Sequence, residues 1–277
     1  MRIIDAFIFF NEIELLKIRL ELLYPHVDEF VICEANTTFS GQRKPYTFLE
    51  REQEFSPWRD KITFLAYQPE LTGLDFTRPT TFDGSSAPWQ IERGQRNHLA
   101  SCLACAKDED ILILSDVDEI WTPELASWLK AYPMQMKAGR LGMQFHYFFM
   151  NCRGIGPANS LWTYSLFARV GLLRAQPHTL HDLRVDAQLP VTSDAGWHFS
   201  YLGGAEAVIR KIESFSHQEL NTQEIKNFER ISNCLRLGLD PFDRADHAWA
   251  FFHVDSYPAT LAALMRRHPG LIKATLL

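Results

Sequence analysis

The sequence predicts a single-domain α/β fold in which helices flank a mixed, mainly parallel sheet. Apolar stretches typical of buried strands occur at residues 2–10, 30–33, 62–65 and 111–114, and segments between them show helical periodicity. Parallel strands need a crossover of a dozen or more residues, usually a helix, so this alternation favours parallel pairing. With 277 residues, 46% of them hydrophobic, the chain is long enough to bury the core of one large domain.

The first predicted element is a strand over residues 2–10, followed by a helix that ends before Pro25. Asn11 is the predicted N-cap of that helix, and Glu14 stands three residues later, where the carboxylate of a capping box bonds back to the chain. Residues 70–88 are rich in Thr, Pro, Gly, Asp and Ser without periodicity, which predicts a long surface loop. A further strand is predicted over 141–150, and further helices over 92–107, from Thr122 and Pro123, and over 204–215, 223–237 and 258–267.

Charge and composition exclude several classes of protein. With 28 basic and 34 acidic residues the formal net charge is −6, so the chain offers no positive field to a nucleic-acid backbone. The apolar run at residues 6–10 is too short for a signal sequence or a membrane span, which predicts a cytoplasmic protein without a transmembrane segment. The partly basic segment 262–268 could touch the inner face of a membrane, although a packed terminal helix is favoured.

Three carboxylates, Asp116, Asp118 and Glu119, follow the most apolar predicted strand, 111–114. Alternate residues of an extended segment face the same side, so Asp116 and Asp118 can share one site while Val117 packs inward. Crowded carboxylates repel one another unless a cation neutralises them, and Mg²⁺ and Mn²⁺ prefer carboxylate and phosphate oxygens. The pattern favours a divalent-cation site at the sheet edge where open α/β folds bind ligands. A solvated acidic turn that caps the next helix is the alternative.

Two enzyme classes use an Asp-x-Asp pair after a buried strand. In nucleotide-sugar glycosyltransferases of the GT-A type the pair holds a metal on the diphosphate, and in haloacid-dehalogenase-type phosphatases the first Asp is the nucleophile. The phosphatase motif normally ends the first strand and continues with Gly-Thr. Here the pair follows at least three earlier strands and continues with Glu119, Ile120 and Trp121, which favours the glycosyltransferase.

Several separated motifs lie in order along most of the chain: Asp5–Glu12 with Leu15-Leu16 and Arg19-Leu20, Val27-Asp28, Phe30–Ile32 with Glu34 and Asn36, Thr38, Ser40-Gly41, Glu92-Arg93, Gln95-Arg96, Ser115–Ile120 and Gly196–Ser200. Together they resemble glycosyltransferase family 17. The resemblance implies one GT-A-like, Rossmann-like domain over residues 1–277. Residues 1–120 would then form the half that binds the nucleotide sugar, and residues 121–277 the acceptor-binding half with the C-terminal helices.

The resemblance also implies a reaction. It implies a metal-dependent glycosyltransferase that inverts the anomeric carbon, with Mn²⁺ or Mg²⁺ as cofactor. The donor is a sugar nucleotide, with UDP-GlcNAc favoured, and the acceptor is a glycan or glycoconjugate. Because the sequence shows no N-terminal membrane anchor or stem, it resembles a bacterial-type member. A transferase with another donor sugar or nucleotide, and a non-catalytic carbohydrate-binding protein of the same fold, are the alternatives.

Eight residues are predicted to bind the nucleotide sugar. Polar residues that end the first two strands could bond the base and the ribose, and two arginines one helical turn apart could hold the diphosphate. The alternatives are a helix cap for Asn11 and surface salt bridges from the arginines to Glu92 or Asp108. The predicted residues are Asn11, Glu12, Glu34, Asn36, Arg93, Arg96, Asp116 and Trp197.

The predicted cation ligands are Asp116, Asp118 and His198. Sites of this kind often take a histidine from later in the chain, and His198 lies in the Gly196–Ser200 motif between small and aromatic residues that could fix its ring. His217 is the second choice for this histidine.

Inverting transfer requires a general base that takes the proton of the acceptor hydroxyl. The candidates are Asp194 before the Gly196–Ser200 motif, Glu119 beside the acidic pair, and Asp182. Any of them could instead be a turn-forming residue, so the sequence leaves the base open. For contact with a sugar ring, Trp162 and Trp197 are the favoured aromatic residues.

Overall fold

The computed structural model describes residues 1–132, 137–185 and 188–273. Its centre is a group of four parallel strands, β1 (Ile3–Phe9), β2 (Glu29–Ala35), β3 (Ile62–Tyr67) and β4 (Ile111–Asp116). Their order is β3-β2-β1-β4, so the chain winds to one side of β1 and then crosses to the other. The carboxyl ends of β1 and β4 thus lie side by side at a topological switch point, where open α/β sheets bind ligands.

The remaining strands make the sheet mixed. β9 pairs antiparallel with both β4 and β6, whereas β10 runs parallel to β6 and antiparallel to β5, which brings the end of β10 beside the end of β4. The bounds are β5 (Glu119–Trp121), β6 (Ala138–Tyr147), β7 (Cys152–Gly154), β8 (Leu161–Trp162), β9 (Leu166–Arg169), β10 (Val191–Ser200) and β11 (Trp249–Phe251).

Helices cover both faces of the sheet. The bounds are α1 (Ile13–Leu23), α2 (Thr47–Glu50), α3 (Ala87–His98), α4 (Pro123–Ala131), α5 (Val170–Ala175), α6 (Leu180–Val185), α7 (Ala205–Ser214), α8 (Phe228–Leu237) and α9 (Ala259–Arg267). The apolar faces of α1, α4 and α9 share one core cluster with the parallel strands. A second cluster joins the opposite face to α5, α6 and a 3₁₀ segment, Leu99–Cys105, and a third joins α7 and α8 to β6 and β11.

The predicted fold class, an α/β domain with a mainly parallel central group of strands, is confirmed. Within the described residues, no helix is long and apolar enough to cross a membrane. The predicted helix over 92–107 was wrong in its bounds, because α3 begins at Ala87 and a 3₁₀ segment replaces it after His98. The predicted helix over 223–237 begins later, at Phe228.

The predicted start of α1 was also wrong. The N-cap position is Glu12, not Asn11, and the Glu12 carboxylate accepts hydrogen bonds from the backbone N–H groups of Phe10 and Asn11. Glu14 makes no capping box and instead bonds Lys17 (3.0 Å) and His268 (3.1 Å). The backbone before α1 is therefore organised by an acidic side chain that the capping rules do not identify.

Acid should destabilise the protein through His146, which is fully buried in β6. Its Nδ1 lies 3.0 Å from the Gln144 carbonyl oxygen and its Nε2 3.1 Å from the Tyr257 hydroxyl, an arrangement that suits the neutral ring. Burial lowers the pKa of His146 from 6.5 to about 3. On acidification the unfolded chain takes up this proton first, so stability falls between those two pH values, by about 1.4 kcal/mol per pH unit.

Urea denaturation at pH 7, 6, 5 and 4 tests this expectation. As the pH falls, the free energy of unfolding of the His146→Gln variant should decrease less steeply than that of the native protein. The two slopes should differ by about 1.4 kcal/mol per pH unit, the effect of one proton. Equal slopes for the two proteins would contradict the expectation, whatever the absolute stability of the variant.

Candidate active site

Arg19, a fully buried residue of α1, shapes the acidic turn after β4. Its guanidinium donates hydrogen bonds to the carbonyl oxygens of Asp116 (2.9 Å) and Glu119 (2.8 Å). Two further bonds, of 2.6 and 2.9 Å, join it to the Asp5 carboxylate, which also accepts a bond from the Trp121 indole N–H. Because a buried guanidinium must satisfy its donors within the protein, these bonds fix the course of the turn.

Asp116, the first carboxylate of the turn, lies between two arginines. Its Oδ1 is 2.9 Å from Arg96 of α3, and its Oδ2 is 2.9 Å from Arg184 of α6. Arg96 is itself only 1% exposed and also bonds Glu92 at 2.9 Å. Each oxygen of Asp116 therefore already has a cationic partner from the protein.

Glu119 is fully buried, and its two carboxylate oxygens are surrounded by donors. It accepts hydrogen bonds from the Trp162 indole (2.6 Å), the Ser165 hydroxyl (2.6 Å), the Asp116 backbone N–H (2.8 Å) and the Arg184 guanidinium (2.5 and 2.9 Å). Burial disfavours the charged carboxylate, but Arg184 outweighs it and lowers the pKa of Glu119 to about 2. A group this acidic and this fully bonded organises the turn and is a poor general base.

Asp118, the second carboxylate of the pair, is 5% exposed. Its Oδ2 lies 2.8 Å from the Lys211 ammonium and 3.5 Å from Nε2 of His198. Burial disfavours the charged carboxylate, but Lys211 and His198 outweigh it and hold the pKa of Asp118 well below its usual range. The His198 ring stacks on Phe145 with centroids 4.6 Å apart and also packs against Trp162, so its orientation is fixed.

A pocket of about 110 Å³ opens at the carboxyl ends of β1, β2 and β4, and we call it the edge pocket. Its walls include Phe10, Glu12, Ala35, Asp116, Asp118 and Lys211. A larger space of about 360 Å³, the adjoining pocket, lies between the start of α1, the end of β10 and α7. Both pockets are lined by Glu12 and Lys211, so these two side chains stand where the pockets meet.

Glu12, like Asp116, is a predicted nucleotide-sugar residue that lines the edge pocket. Its Oε2 accepts from the backbone N–H groups of Phe10 (3.3 Å) and Asn11 (3.0 Å), and its Oε1 lies 4.0 Å from Lys211. Asn11 is exposed and lines the adjoining pocket. Asn36 is half-buried and lines neither pocket.

Glu34, predicted to bind the nucleotide, instead bonds other groups of the protein. It is fully buried and accepts hydrogen bonds from the backbone N–H groups of Thr47 (2.7 Å) and Phe48 (2.9 Å), and it also bonds the Lys44 ammonium. Burial raises the pKa of Glu34 while Lys44 opposes that shift. The carboxylate thus holds the start of α2 in place and does not line the edge pocket.

The two predicted diphosphate arginines do not meet in one site. Arg96 is buried against Asp116, whereas Arg93 is exposed and donates to the Gly84 carbonyl oxygen at 3.3 Å. Trp197, predicted to face a sugar, is 4% exposed and belongs to the core cluster that includes α1, α4 and α9. The alternation of β10 turns this ring inward, since side chains alternate between the faces of a strand.

Two predicted bases and one predicted ligand lie away from the acidic turn. Asp182 is exposed and accepts bonds from the Thr179 backbone N–H (3.1 Å) and hydroxyl (2.8 Å) at the start of α6. Asp194 is exposed, with φ +53°, at the irregularity where β10 shifts register against β6. His217 bonds Glu219 at 2.7 Å instead of Asp118. None of the three lines either pocket.

Sequence reasoning missed three basic residues that the structure brings to the turn: Arg19, Arg184 and Lys211. Arg19 could have been found, because it stands three residues after Leu16 and four before Leu23 on the apolar face of a helix. A charged residue in such a stripe requires a buried partner. Arg184 and Lys211 carry no comparable local signal, since only the folding of distant segments brings them to Asp116 and Asp118.

Two side chains at the turn, Asp118 and His198, carry atoms that divalent cations bind, and Lys211 lies 2.8 Å from the same Asp118 oxygen. Among the described residues, no group of three His, Cys, Asp or Glu side chains is placed to hold an ion. Asp118 Oδ2 and His198 Nε2 are 3.5 Å apart, close to the ~3 Å between neighbouring ligands of a six-coordinate ion. Asp116, predicted as a third ligand, is instead held by its two arginines. An ion here would complete its shell from phosphate and water, as Mg²⁺ commonly does.

The carboxylates around the turn outnumber the arginine and lysine side chains paired with them. In the described part of the chain, five linked carboxylates pair with two arginines, one lysine and, at Asp118, the His198 ring. These groups are Glu12, Glu92, Asp116, Asp118 and Glu119, with Arg96, Arg184 and Lys211. A diphosphate in the edge pocket would add further negative charge, so its binding would be assisted by a divalent cation.

The fold and the site together define an α/β protein with an acidic pocket at the switch point of its sheet. The family model described as Glycosyltransferase family 17 matches residues 1–259. The chain therefore belongs to glycosyltransferase family 17, as the sequence motifs predicted.

The relatives bear names that specify a reaction. The beta-1,4-mannosyl-glycoprotein 4-beta-N-acetylglucosaminyltransferase of Rattus norvegicus is 24% identical over 287 residues, which cover 90% of this chain and 52% of that protein. The Homo sapiens protein of the same name gives the same identity and coverage. The chain thus spans about half the length of these curated relatives.

Among solved structures, that of S. aureus TarS 1–349 in complex with UDP-GlcNAc is 13% identical and has a TM-score of 0.39. The matched region covers 88% of this chain and 74% of the TarS chain. This likeness is too weak to bear on the assignment, which rests on the family match.

Proposed function

We propose that the protein transfers GlcNAc from UDP-GlcNAc to a hydroxyl group of a glycan acceptor, with inversion at the anomeric carbon. The observation that carries the proposal is the acidic pair Asp116 and Asp118 beside a pocket at the sheet's switch point, in a member of glycosyltransferase family 17. The names of the relatives support GlcNAc as the transferred sugar.

The edge pocket is suited to a nucleoside diphosphate. The end of β2 contributes the small Ala35, and Phe10 contributes apolar surface, which suits a flat base. Asp118 and Lys211 lie at the β4 side of the same pocket, where the diphosphate would meet both a carboxylate and an ammonium. The sugar would then extend past Glu12 and Lys211 toward the adjoining pocket.

Asp118 and His198 are the residues that would hold Mn²⁺ or Mg²⁺. Such an ion supplies positive charge against the diphosphate as it leaves the sugar. Around it, the Arg19 bonds to the turn and the stacking of His198 on Phe145 keep both ligands in place. Preorganised ligands of this kind lose little free energy to rearrangement when substrate binds.

A thermal-shift panel tests the donor and the cation together. A ligand that binds only the folded state raises the melting temperature by mass action, so UDP-GlcNAc with Mn²⁺ should raise it most. UDP-galactose, GDP-mannose and uridine, each with and without Mn²⁺, are the comparisons. A larger shift with another nucleotide would assign another donor, and no shift with any nucleotide would overturn the transferase and leave a carbohydrate-binding role.

The stereochemistry has its own test. UDP-GlcNAc carries its sugar through an α bond, so slow hydrolysis by the enzyme, with water in place of the acceptor, should release β-GlcNAc first. Proton NMR during the first minutes, before mutarotation, distinguishes the two anomers. Initial release of α-GlcNAc would contradict inversion while leaving the donor assignment intact.

A further inference from the structure

Lys211 occupies a position that a bound cation would contest. Its ammonium lies 2.8 Å from Asp118 Oδ2, the same oxygen that is 3.5 Å from His198 Nε2. The side chain comes from α7, is 25% exposed, and lines both the edge pocket and the adjoining pocket. A divalent ion on that oxygen would stand within a few ångströms of the ammonium, where two like charges repel strongly.

A second carboxylate, that of Glu12, lies near the Lys211 ammonium. Glu12 Oε1 is 4.0 Å from Lys211 Nζ, and both side chains line the edge pocket. A lysine carries a compact charge on a flexible four-carbon stem, so a displacement of a few ångströms needs only rotamer changes. In the pocket a diphosphate would offer oxygens that a lysine binds as a point charge.

We infer that Lys211 is a diphosphate-binding residue that exchanges partners. Without ligand its ammonium neutralises Asp118; when the cation and the nucleotide enter together, the cation takes Asp118 and the ammonium moves to the diphosphate. This inference rests on the proposed function, since it needs a nucleoside diphosphate in the edge pocket. It assigns Lys211 a direct role in recognising the leaving group.

The exchange predicts effects of opposite sign for one substitution. Lys211→Met removes the competitor for Asp118, so the protein without nucleotide should bind Mn²⁺ more tightly, by about threefold or more. The same variant lacks a partner for the diphosphate, so UDP measured with Mn²⁺ should bind about tenfold more weakly, the effect of losing roughly one charge-assisted hydrogen bond. Uridine, which has no phosphate, should bind both proteins within twofold.

The measurements are Mn²⁺ binding by electron paramagnetic resonance, and UDP and uridine binding by calorimetry. Lys211→Arg keeps the charge and should retain UDP affinity within about threefold. Lys226→Met is the matched control, because Lys226 bonds Glu213 at 2.8 Å and lines neither pocket. This control should leave all three affinities unchanged.

Two results would overturn the inference. Unchanged UDP affinity in Lys211→Met would show that the ammonium does not reach the diphosphate, and weaker Mn²⁺ binding would show that Lys211 supports the cation site. A general loss of structure in Lys211→Met would weaken uridine as well, and Lys211→Arg then decides between the outcomes. If the native protein itself binds no UDP, the proposed function fails, a result distinct from the others.

Discussion

Replacing Arg19 with methionine should lower the free energy of unfolding by about 3–5 kcal/mol, the range for breaking a buried ion pair by removing one partner. The side chains of Arg19 and Asp5 are both 0% exposed. The substitution leaves the Asp5 carboxylate buried without its cation, and it frees carbonyl oxygens of the acidic turn. We expect the backbone of the acidic turn to change its conformation in the same variant that loses stability.

Urea denaturation with intrinsic tryptophan fluorescence measures this loss. The control is Arg267→Met, because Arg267 is 53% exposed and pairs with an exposed Glu21, a kind of ion pair that contributes at most about 1 kcal/mol. The double variant Asp5→Asn with Arg19→Met should recover part of the lost stability, since it removes the unpaired charge. A loss below about 1 kcal/mol in Arg19→Met would contradict the role of these bonds.

Asp118→Asn should lower the turnover of UDP-GlcNAc at least about 100-fold, because an amide oxygen binds a divalent cation far more weakly than a carboxylate does. The melting temperature should change by only a few degrees, since Lys211 keeps Glu12 as a nearby partner. Release of UDP is the measurement, with differential scanning fluorimetry on the same samples.

Two further Asp→Asn variants serve as controls. Asp182 and Asp194 are exposed and line neither pocket, so Asp182→Asn and Asp194→Asn should keep turnover within about twofold. Asn also tolerates the left-handed backbone found at Asp194. A hundredfold loss in either variant, or turnover retained in Asp118→Asn, would contradict the assignment of the site to the acidic turn.

The fold class and the position of the site were predictable because both depend on local sequence patterns. Buried strands such as Ile111–Asp116 are continuous apolar runs, and the polar residues that end them must lie at one edge of a parallel sheet. Asp116, Asp118 and Glu12 were predictable on this ground, and the structure brings all three to the edge pocket.

The direction in which individual side chains point could not be predicted in the same way. Glu34 also ends a strand, yet the backbone N–H groups of a later segment, Thr47 and Phe48, capture its carboxylate. Arg184 reaches Glu119 from 65 positions away. Such contacts depend on how distant segments pack, and no local spacing encodes them.

A crystal structure of the protein with UDP-GlcNAc and Mn²⁺ would show directly whether Asp118 and His198 hold the cation beside the donor. We expect an anomalous peak for manganese about 2 Å from the Asp118 carboxylate and from His198 Nε2. We also expect the uridine in the edge pocket and the Lys211 ammonium on the diphosphate. A nucleotide bound elsewhere, or one that fills the edge pocket without manganese at Asp118, would contradict these expectations.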